Sequence, residues 1–409
     1  MKRTMKVGVV LAILLVMAAV GVWRTVPGRA AAAQVQKPAA GVPMFQVDPY
    51  WPKMESNWTF GDIGGIAIDP ENDHVFVVQR PASLDEDENY AAKHPPIADC
   101  CVPAPPVMEF DPEGNLIQAW GGPGPGYDWP TRPHGISIDY RGNIWIAGGG
   151  GSAQADNQVV KFTKTGKFLL QIGHPGKGRG SEDTENFKEP TKAVVYEKTN
   201  EVFVADGYVN RRVIVFDADT GAFKRMWGAY GNKPDDAAPR IVRESPNLRL
   251  RFPKDRPQDQ PLKAMVEGLS PKQFNLVHSI AISNDDLVYV ADRSDNRIQV
   301  FKPDGTFVKE AFIGREVVTP DGTAYDFAFS PDKRQQFLYV PGGDQHVRIL
   351  DRDTLQLVGK IGRNGHYAGQ FYHVHVLAAD SKGNIYTGEA KGHRVQKFLY
   401  KGMSAASNQ

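Results

Sequence analysis

Cysteine is almost missing from this sequence: the only two, Cys100 and Cys101, are neighbours. A pair so placed closes no stretch of chain, so the fold has no disulfide framework to lean on. If the two join at all, they make a strained vicinal disulfide in one loop. A redox or metal role for them has little support. An excess of charge is missing too, with 48 Lys and Arg against 47 Asp and Glu. Without a basic face there is no footing for nucleic acid, and no such partner is expected. Long apolar runs are absent with one exception, Val7 to Trp23, which follows Lys2, Arg3 and Lys6 and precedes the small residues Ala30 to Ala33. That order describes a targeting signal over residues 1–33, with cleavage before Gln34 favoured over retention as a membrane anchor. The chain is therefore expected to be exported, periplasmic or secreted, and to meet a membrane only through an uncleaved anchor. Removing residues 1–33 takes away five basic residues and no acidic ones, which leaves 43 Lys and Arg against 47 Asp and Glu.

Turn formers are plentiful, with 41 Gly and 30 Pro. That composition favours a turn-rich all-β protein over a helical one. A phrase recurs from about residue 64 to residue 402, clearest as VHSIAISNDDLVYVADRSDNRIQVFKPDGTFVKEAFIG, Val277 to Gly314. Alternating apolar residues split by Asp-Gly and Asn-Gly turns make hairpins. Four antiparallel strands per repeat of roughly 40 to 50 residues make a propeller blade. Six copies are present, beginning at Gly64, His134, Thr191, Val277, Tyr325 and His375. The last copy is one strand short. Asn57 to Gly61 carries the aromatic-Gly ending of Trp120-Gly121 and Trp227-Gly228. It is therefore expected to supply the missing strand and close the ring, which hides the sheet edges. The resulting map is a targeting segment at 1–33, a linker at 34–55, one six-bladed β-propeller at 56–402 and a short tail at 403–409. Insertions at 81–106 and 231–276 interrupt the repeat, and loops of that length are often lids over a site.

In a propeller the first strand of each blade lines the central channel. The position leading into it and the loop after the second strand share one face. The leading positions are Gly64, His134, Thr191, His278, Tyr325 and His375. Three histidines thus fall on blades 2, 4 and 6, about 120° apart in a six-fold ring. A single histidine there is most often a structural hydrogen-bonding residue. Three at one repeat position, in a chain with 10 histidines, point to an imidazole triad with an open fourth position, as in catalytic zinc sites. His373 lies beside them as a candidate supplement. The loops after the second strands add Arg80, Arg293 and Tyr208 on the same face. They offer anion clamps and a candidate proton-transfer group. A tyrosine ordinarily titrates near pH 10 and needs a cation beside it to serve as a base.

The stretches PHGISID (133–139), EPTKAVV through EVFVADGYVNRR (189–212), VHSIAI (277–282) and VADRSDNRIQVF (290–301) resemble the peptidyl-α-hydroxyglycine α-amidating lyases. Those are six-bladed propellers of NHL-type repeats, and the likeness covers roughly residues 60–400. The resemblance implies that His134, His278 and His375 are zinc ligands, that Tyr208 is the catalytic tyrosine, and that Arg293 and Arg80 are the site arginines. It implies cleavage of a peptide's C-terminal α-hydroxyglycine to a peptide amide and glyoxylate. Zinc would acidify the substrate hydroxyl, Tyr208 would take its proton, and the arginines would hold the substrate carboxylate and favour the tyrosinate. The expected partner is a small peptide or carbinolamide, met by a monomer, with no oxidative partner domain in the chain. The sequence departs from the family at two positions. A structural calcium would be held by an Asp after the third histidine and by the carbonyls of Ile66 and Ile136. Val376 stands at the Asp position, so Ca²⁺ is doubtful here. His373 replaces a methionine. Two other readings stay open, another metal-dependent propeller hydrolase or lactonase and a non-catalytic NHL-repeat binding protein.

Overall fold

Each blade forms because its strands alternate and its turns supply the required backbone. In blade 4, Val277–Ile282, Val288–Asp292, Arg297–Phe301 and Phe307–Phe312 pair antiparallel in chain order. The second and third strands are buried along their whole length, while the outer strand is half-exposed. The Asp304-Gly305 turn between the last two strands needs a left-handed residue, and Gly305 has φ +90°. A Cβ at Gly305 would come within 3.0 Å of the Trp227 ring at the end of blade 3. Gly166 of blade 2 meets Trp120 of blade 1 in the same way, at 2.8 Å. The two Trp-Gly endings therefore dock the outer strands of blades 1 and 3 on the next blade's turn.

The computed structural model describes residues 41–404, apart from 56, 152–155, 239–271, 316, 318 and 320. The targeting segment, the start of the linker, most of the 231–276 insertion and most of the tail lie outside the described residues. The fold is an all-β six-bladed propeller of four-stranded sheets, with a small extra two-stranded sheet. Blade 1 is Asp62–Ile68, Val75–Arg80, Val107–Phe110 and Leu116–Trp120. Blade 2 is Pro133–Ile138, Ile144–Gly148, Val159–Phe162 and Phe168–Ile172. Blade 3 is Lys192–Tyr196, Glu201–Asp206, Arg212–Asp217 and Phe223–Trp227. Blade 5 is Ala328–Phe329, Phe337–Gly342, His346–Asp351 and Leu357–Ile361. Blade 6 is Val374–Ala379, Ile385–Glu389 and Arg394–Met403, with Pro43–Asp48 as its outer strand. The apolar core divides into six clusters, one at each junction between neighbouring blades, so ring closure and core formation are the same event.

The closing strand corrects the sequence reading. It is Pro43–Asp48, inside the stretch taken as linker, and it pairs Phe45 with Tyr400 and Val47 with Phe398. The third strand of blade 6 is ten residues long and offers an extended edge. The Phe45 ring packs against Tyr339 and Tyr400. Asn57–Gly61 is diverted instead. Trp58–Thr59 pairs in parallel with Val102–Pro103 of the 81–106 insertion, Phe60 enters the junction between blades 6 and 1, and the Gly61 N–H donates to Gln79 Oε1 at 2.8 Å. An aromatic-Gly ending thus served as an interblade plug rather than a strand end. Cys100 and Cys101 are joined in the same insertion as a vicinal disulfide.

A repeated ion pair sets the loops on the histidine face. The acid that ends a second strand pairs with the arginine that opens the third: Asp206 with Arg212, Asp292 with Arg297, and Glu389 with Arg394. In blade 5 the acid is Asp344, two residues past the strand, paired with Arg348. The Arg212–Asp206 and Arg297–Asp292 pairs have no exposed side-chain surface. Arg212 also donates to the Ser181 and Asn186 carbonyls, pinning the chain that leads into blade 3. Removing one partner of such a pair leaves a buried uncompensated charge, so Arg212→Met is expected to cost about 3–5 kcal/mol in denaturant unfolding. A change near zero would remove this pair from the account of how the loop is held.

Candidate metal centre

The three histidines converge because each opens a first strand and each is anchored by the next blade. His134 Nδ1 donates to the Thr191 carbonyl at 3.0 Å, His278 Nδ1 to that of Tyr325 at 2.6 Å, and His375 Nδ1 to that of Ile63 at 3.0 Å. A carbonyl only accepts, so Nδ1 carries the proton in all three rings. Every Nε2 is then a lone pair turned toward the axis. The three rings lie 4.8 to 5.0 Å apart by centroid, and their ligand atoms fall within 4.8 Å of one another. His278 Nε2 and His375 Nε2 are 3.2 Å apart. With both Nδ1 atoms protonated, that contact sets two acceptors against each other and is no hydrogen bond in the neutral rings. Burial, reinforced by nearby arginines and histidines, holds all three imidazoles well below the ordinary histidine value, so none is expected to gain a second proton. A cation at the meeting point would resolve the opposed lone pairs. Imidazole donors suit zinc and neighbouring transition metals, and the anchoring carbonyls are the outer-shell partners that such ligands usually have.

Tyr208 reaches the same point. Its loop follows Asp206, held by Arg212, and passes Gly207, where a Cβ would come 2.2 Å from the backbone of Val277. Only glycine lets this loop lean on the strand that carries His278. The Tyr208 hydroxyl lies 3.1 Å from His134 Nε2 and 3.3 Å from His278 Nε2. Arg293, in the short helical turn Arg293–Asp295, places Nη1 3.5 Å from that hydroxyl. Its guanidinium lies over the rings of Tyr208 and Tyr325 at 5.5 and 5.1 Å. Arg80 ends the second strand of blade 1 and donates from Nε to the Pro133 carbonyl at 2.9 Å, directly before His134. Its Nη1 reaches Asp62 at 3.4 Å, while Nη2 is buried with no partner among the described residues.

All six residues singled out from the sequence therefore share one face of the channel. His373 does not join the triad. Its ring centroid is 6.4 Å from that of His375, and among the described residues the group placed so that it could hold a metal ion is His134, His278 and His375. Burial pushes its imidazole down to about 4. Sequence reasoning gave no role to Tyr325, whose buried ring lies between His278 and His373. It also missed the charged group around Asp62, which faces Arg80, Arg132 at 3.6 Å and His393 at 3.2 Å. His393 in turn bonds Glu88 of the insertion at 2.8 Å. The one available hint was Arg132, two residues before His134.

A family model for the NHL repeat matches residues 274–301, which lie mostly in blade 4. Peptidyl-glycine alpha-amidating monooxygenase B of Xenopus laevis is 27% identical over 370 residues, covering 87% of this chain and 35% of that protein. Peptidyl-alpha-hydroxyglycine alpha-amidating lyase 1 of Drosophila melanogaster is 26% identical over 328 residues, covering 73% of this chain and 49% of its own length. The chain carries an NHL repeat and is a distant homologue of the amidating lyases. It spans about a third of the length of the amidating monooxygenases it matches. NHL repeat-containing protein 3 of Homo sapiens is 25% identical over 367 residues, covering 87% of this chain and 84% of that protein. The amidating lyases and monooxygenases it resembles are enzymes, and three of its buried histidines could hold a metal ion.

Proposed function

We propose that this chain is a zinc-dependent C–N lyase that cleaves the carbinolamide of a peptide or small compound ending in α-hydroxyglycine, giving an amide and glyoxylate. The observation that carries the proposal is the Tyr208 hydroxyl, 3.1 and 3.3 Å from two of the three imidazole Nε2 atoms. A proton acceptor and a set of metal ligands thereby address one small volume. When bound, zinc supplies Lewis acidity to the substrate oxygen. Tyr208 takes the substrate hydroxyl proton as general base. The oxygen's electron pair then forms the new C=O bond, the C–N pair leaves on the amide nitrogen, and that nitrogen takes from Tyr208 the proton Tyr208 had removed from the hydroxyl. Arg293 keeps a cation beside the phenol oxygen throughout. Arg80, whose buried Nη2 has no partner among the described residues, donates from that nitrogen to the substrate carboxylate.

Lysine keeps the charge of Arg80 but cannot hold the Pro133 carbonyl and Asp62 while presenting a further nitrogen to the substrate. Arg80→Lys is therefore expected to raise KM by about 10- to 100-fold, with metal content unchanged, since one charge-assisted bond is worth roughly 1.5–3 kcal/mol. Steady-state kinetics on a hydroxyglycine peptide check it, and a fall confined to kcat would take the carboxylate away from Arg80. The reading as a whole is tested by metal analysis of the purified chain together with glyoxylate release. One observation favours a second reading, a non-catalytic binding propeller: the match along 84% of NHL repeat-containing protein 3, whose name states no reaction. That reading expects no metal. Metal without glyoxylate would point to a different metal-dependent hydrolase or lactonase.

A further inference from the structure

Below the histidines the channel holds an ion pair that the proposed reaction does not use. The resemblance assigns a structural calcium to a carboxylate at position 376 and to the carbonyls of Ile66 and Ile136. In this chain Val376 is buried in the apolar junction between blades 6 and 1. Ile66, Ile136 and Val376 line one small cavity directly under His134 and His278, and Lys192 and Asp326 line it as well. Lys192 Nζ lies 2.7 Å from Asp326 Oδ1, with the two side chains 13% and 4% exposed. Ser279 Oγ donates to the same Oδ1 at 2.6 Å, and the Leu377 N–H donates to Oδ2 at 3.2 Å.

Calcium takes six to eight oxygen ligands. The side chains of this cavity offer one carboxylate, and its oxygens already accept from an ammonium, a hydroxyl and a backbone N–H. A divalent cation beside that ammonium would face like charge where the surroundings screen poorly. The residues do not fit the ion. They do form a polar cluster in which an ammonium, a hydroxyl and a backbone N–H all donate to the Asp326 carboxylate. Lys192 opens the first strand of blade 3, Ser279 lies in that of blade 4, Asp326 precedes that of blade 5, and Leu377 lies in that of blade 6. Four blades are thus tied at one carboxylate. The cluster also abuts the metal ligands along the chain, since Thr191, which anchors His134, precedes Lys192, and His278 precedes Ser279.

We propose that Lys192 is a built-in cation that takes the place of a channel calcium, and that the Lys192–Asp326 pair braces blades 3 to 6 without any need for that ion. The inference is independent of the reaction proposed above. A ligand that binds only the folded state raises Tm by mass action. The full chain in calcium-free, zinc-containing buffer is therefore expected to keep its Tm within about 1 °C when millimolar calcium is added, and to hold no calcium by elemental analysis. Lys192→Met leaves Asp326 buried and charged, and is expected to lower Tm by roughly 5 °C. The double variant Lys192→Met/Asp326→Leu replaces the pair with apolar groups and is expected to recover most of that loss. A rise of several degrees with calcium, or one bound calcium per chain, would overturn the proposal, and so would a Lys192→Met variant as stable as the parent. Should Lys192→Met fail to fold, the calcium titration of the unaltered chain decides alone.

Discussion

His134→Ala is expected to leave a folded chain that has lost its metal and its turnover together. The imidazole has two attachments, Nδ1 to the Thr191 carbonyl and Nε2 to the meeting point near the axis. Alanine abolishes both and leaves His278 and His375 as a two-ligand remnant. Loss of an outer-shell partner alone costs roughly 10–100-fold in metal affinity, so loss of a ligand should cost more than that. The apolar junction clusters do not include His134, so the fold has little to lose. What is removed is one polar side chain whose neighbouring Nε2 atoms were set against each other. Elemental analysis of the purified variant, glyoxylate release and a melting curve together check the prediction. A variant that keeps one metal per chain would show that the three rings do not act as a ligand set. Normal glyoxylate release from a metal-free variant would show that the metal is no part of the reaction. His278→Ala and His375→Ala are expected to behave alike, because the three anchors repeat around the ring.

The triad was legible in the sequence because a propeller converts a repeat position into a place on a circle. Once the strands of the blade containing VHSIAI are counted, His278 is fixed, and His134 and His375 follow from the register of their own repeats. Tyr208, Arg80 and Arg293 were legible for the same reason, since the loop after each second strand has one address. What escaped was everything decided by contacts between distant parts of the chain. Either of two N-terminal segments with an aromatic residue could have closed blade 6. The choice of Pro43–Asp48 depended on the long edge of Arg394–Met403 and on the insertion, which captured Trp58–Thr59. Lys192 and Asp326 are 134 residues apart, and no local pattern pairs them. Asp62, at the start of blade 1's first strand, and Arg132, His393 and Glu88, from three different connections, meet only in the closed ring. The proton on each Nδ1 was equally out of reach, because it is set by a carbonyl on the next blade.

Tyr208→Phe is expected to do the reverse of the histidine change, keeping the metal and losing the chemistry. The substitution removes one oxygen and leaves the ring, so the packing of its loop stays as Gly207 and the Asp206–Arg212 pair set it. Arg293 keeps its place over the ring, at 5.5 Å. None of the three Nδ1 anchors involves the hydroxyl, so the imidazoles stay oriented and metal content should match the parent. The proposed reaction, however, has lost the hydroxyl that lies within hydrogen-bond reach of the His134 and His278 Nε2 atoms and serves as its proton acceptor. General-base contributions run to about 10²–10⁴-fold, and kcat is expected to fall within that range while KM changes little. Equal falls in metal content and activity would make Tyr208 a structural support of the centre. A Tyr208→Phe variant that is metal-replete and fully active would transfer the proton to another acceptor, and the proposed mechanism would have to be rebuilt around it.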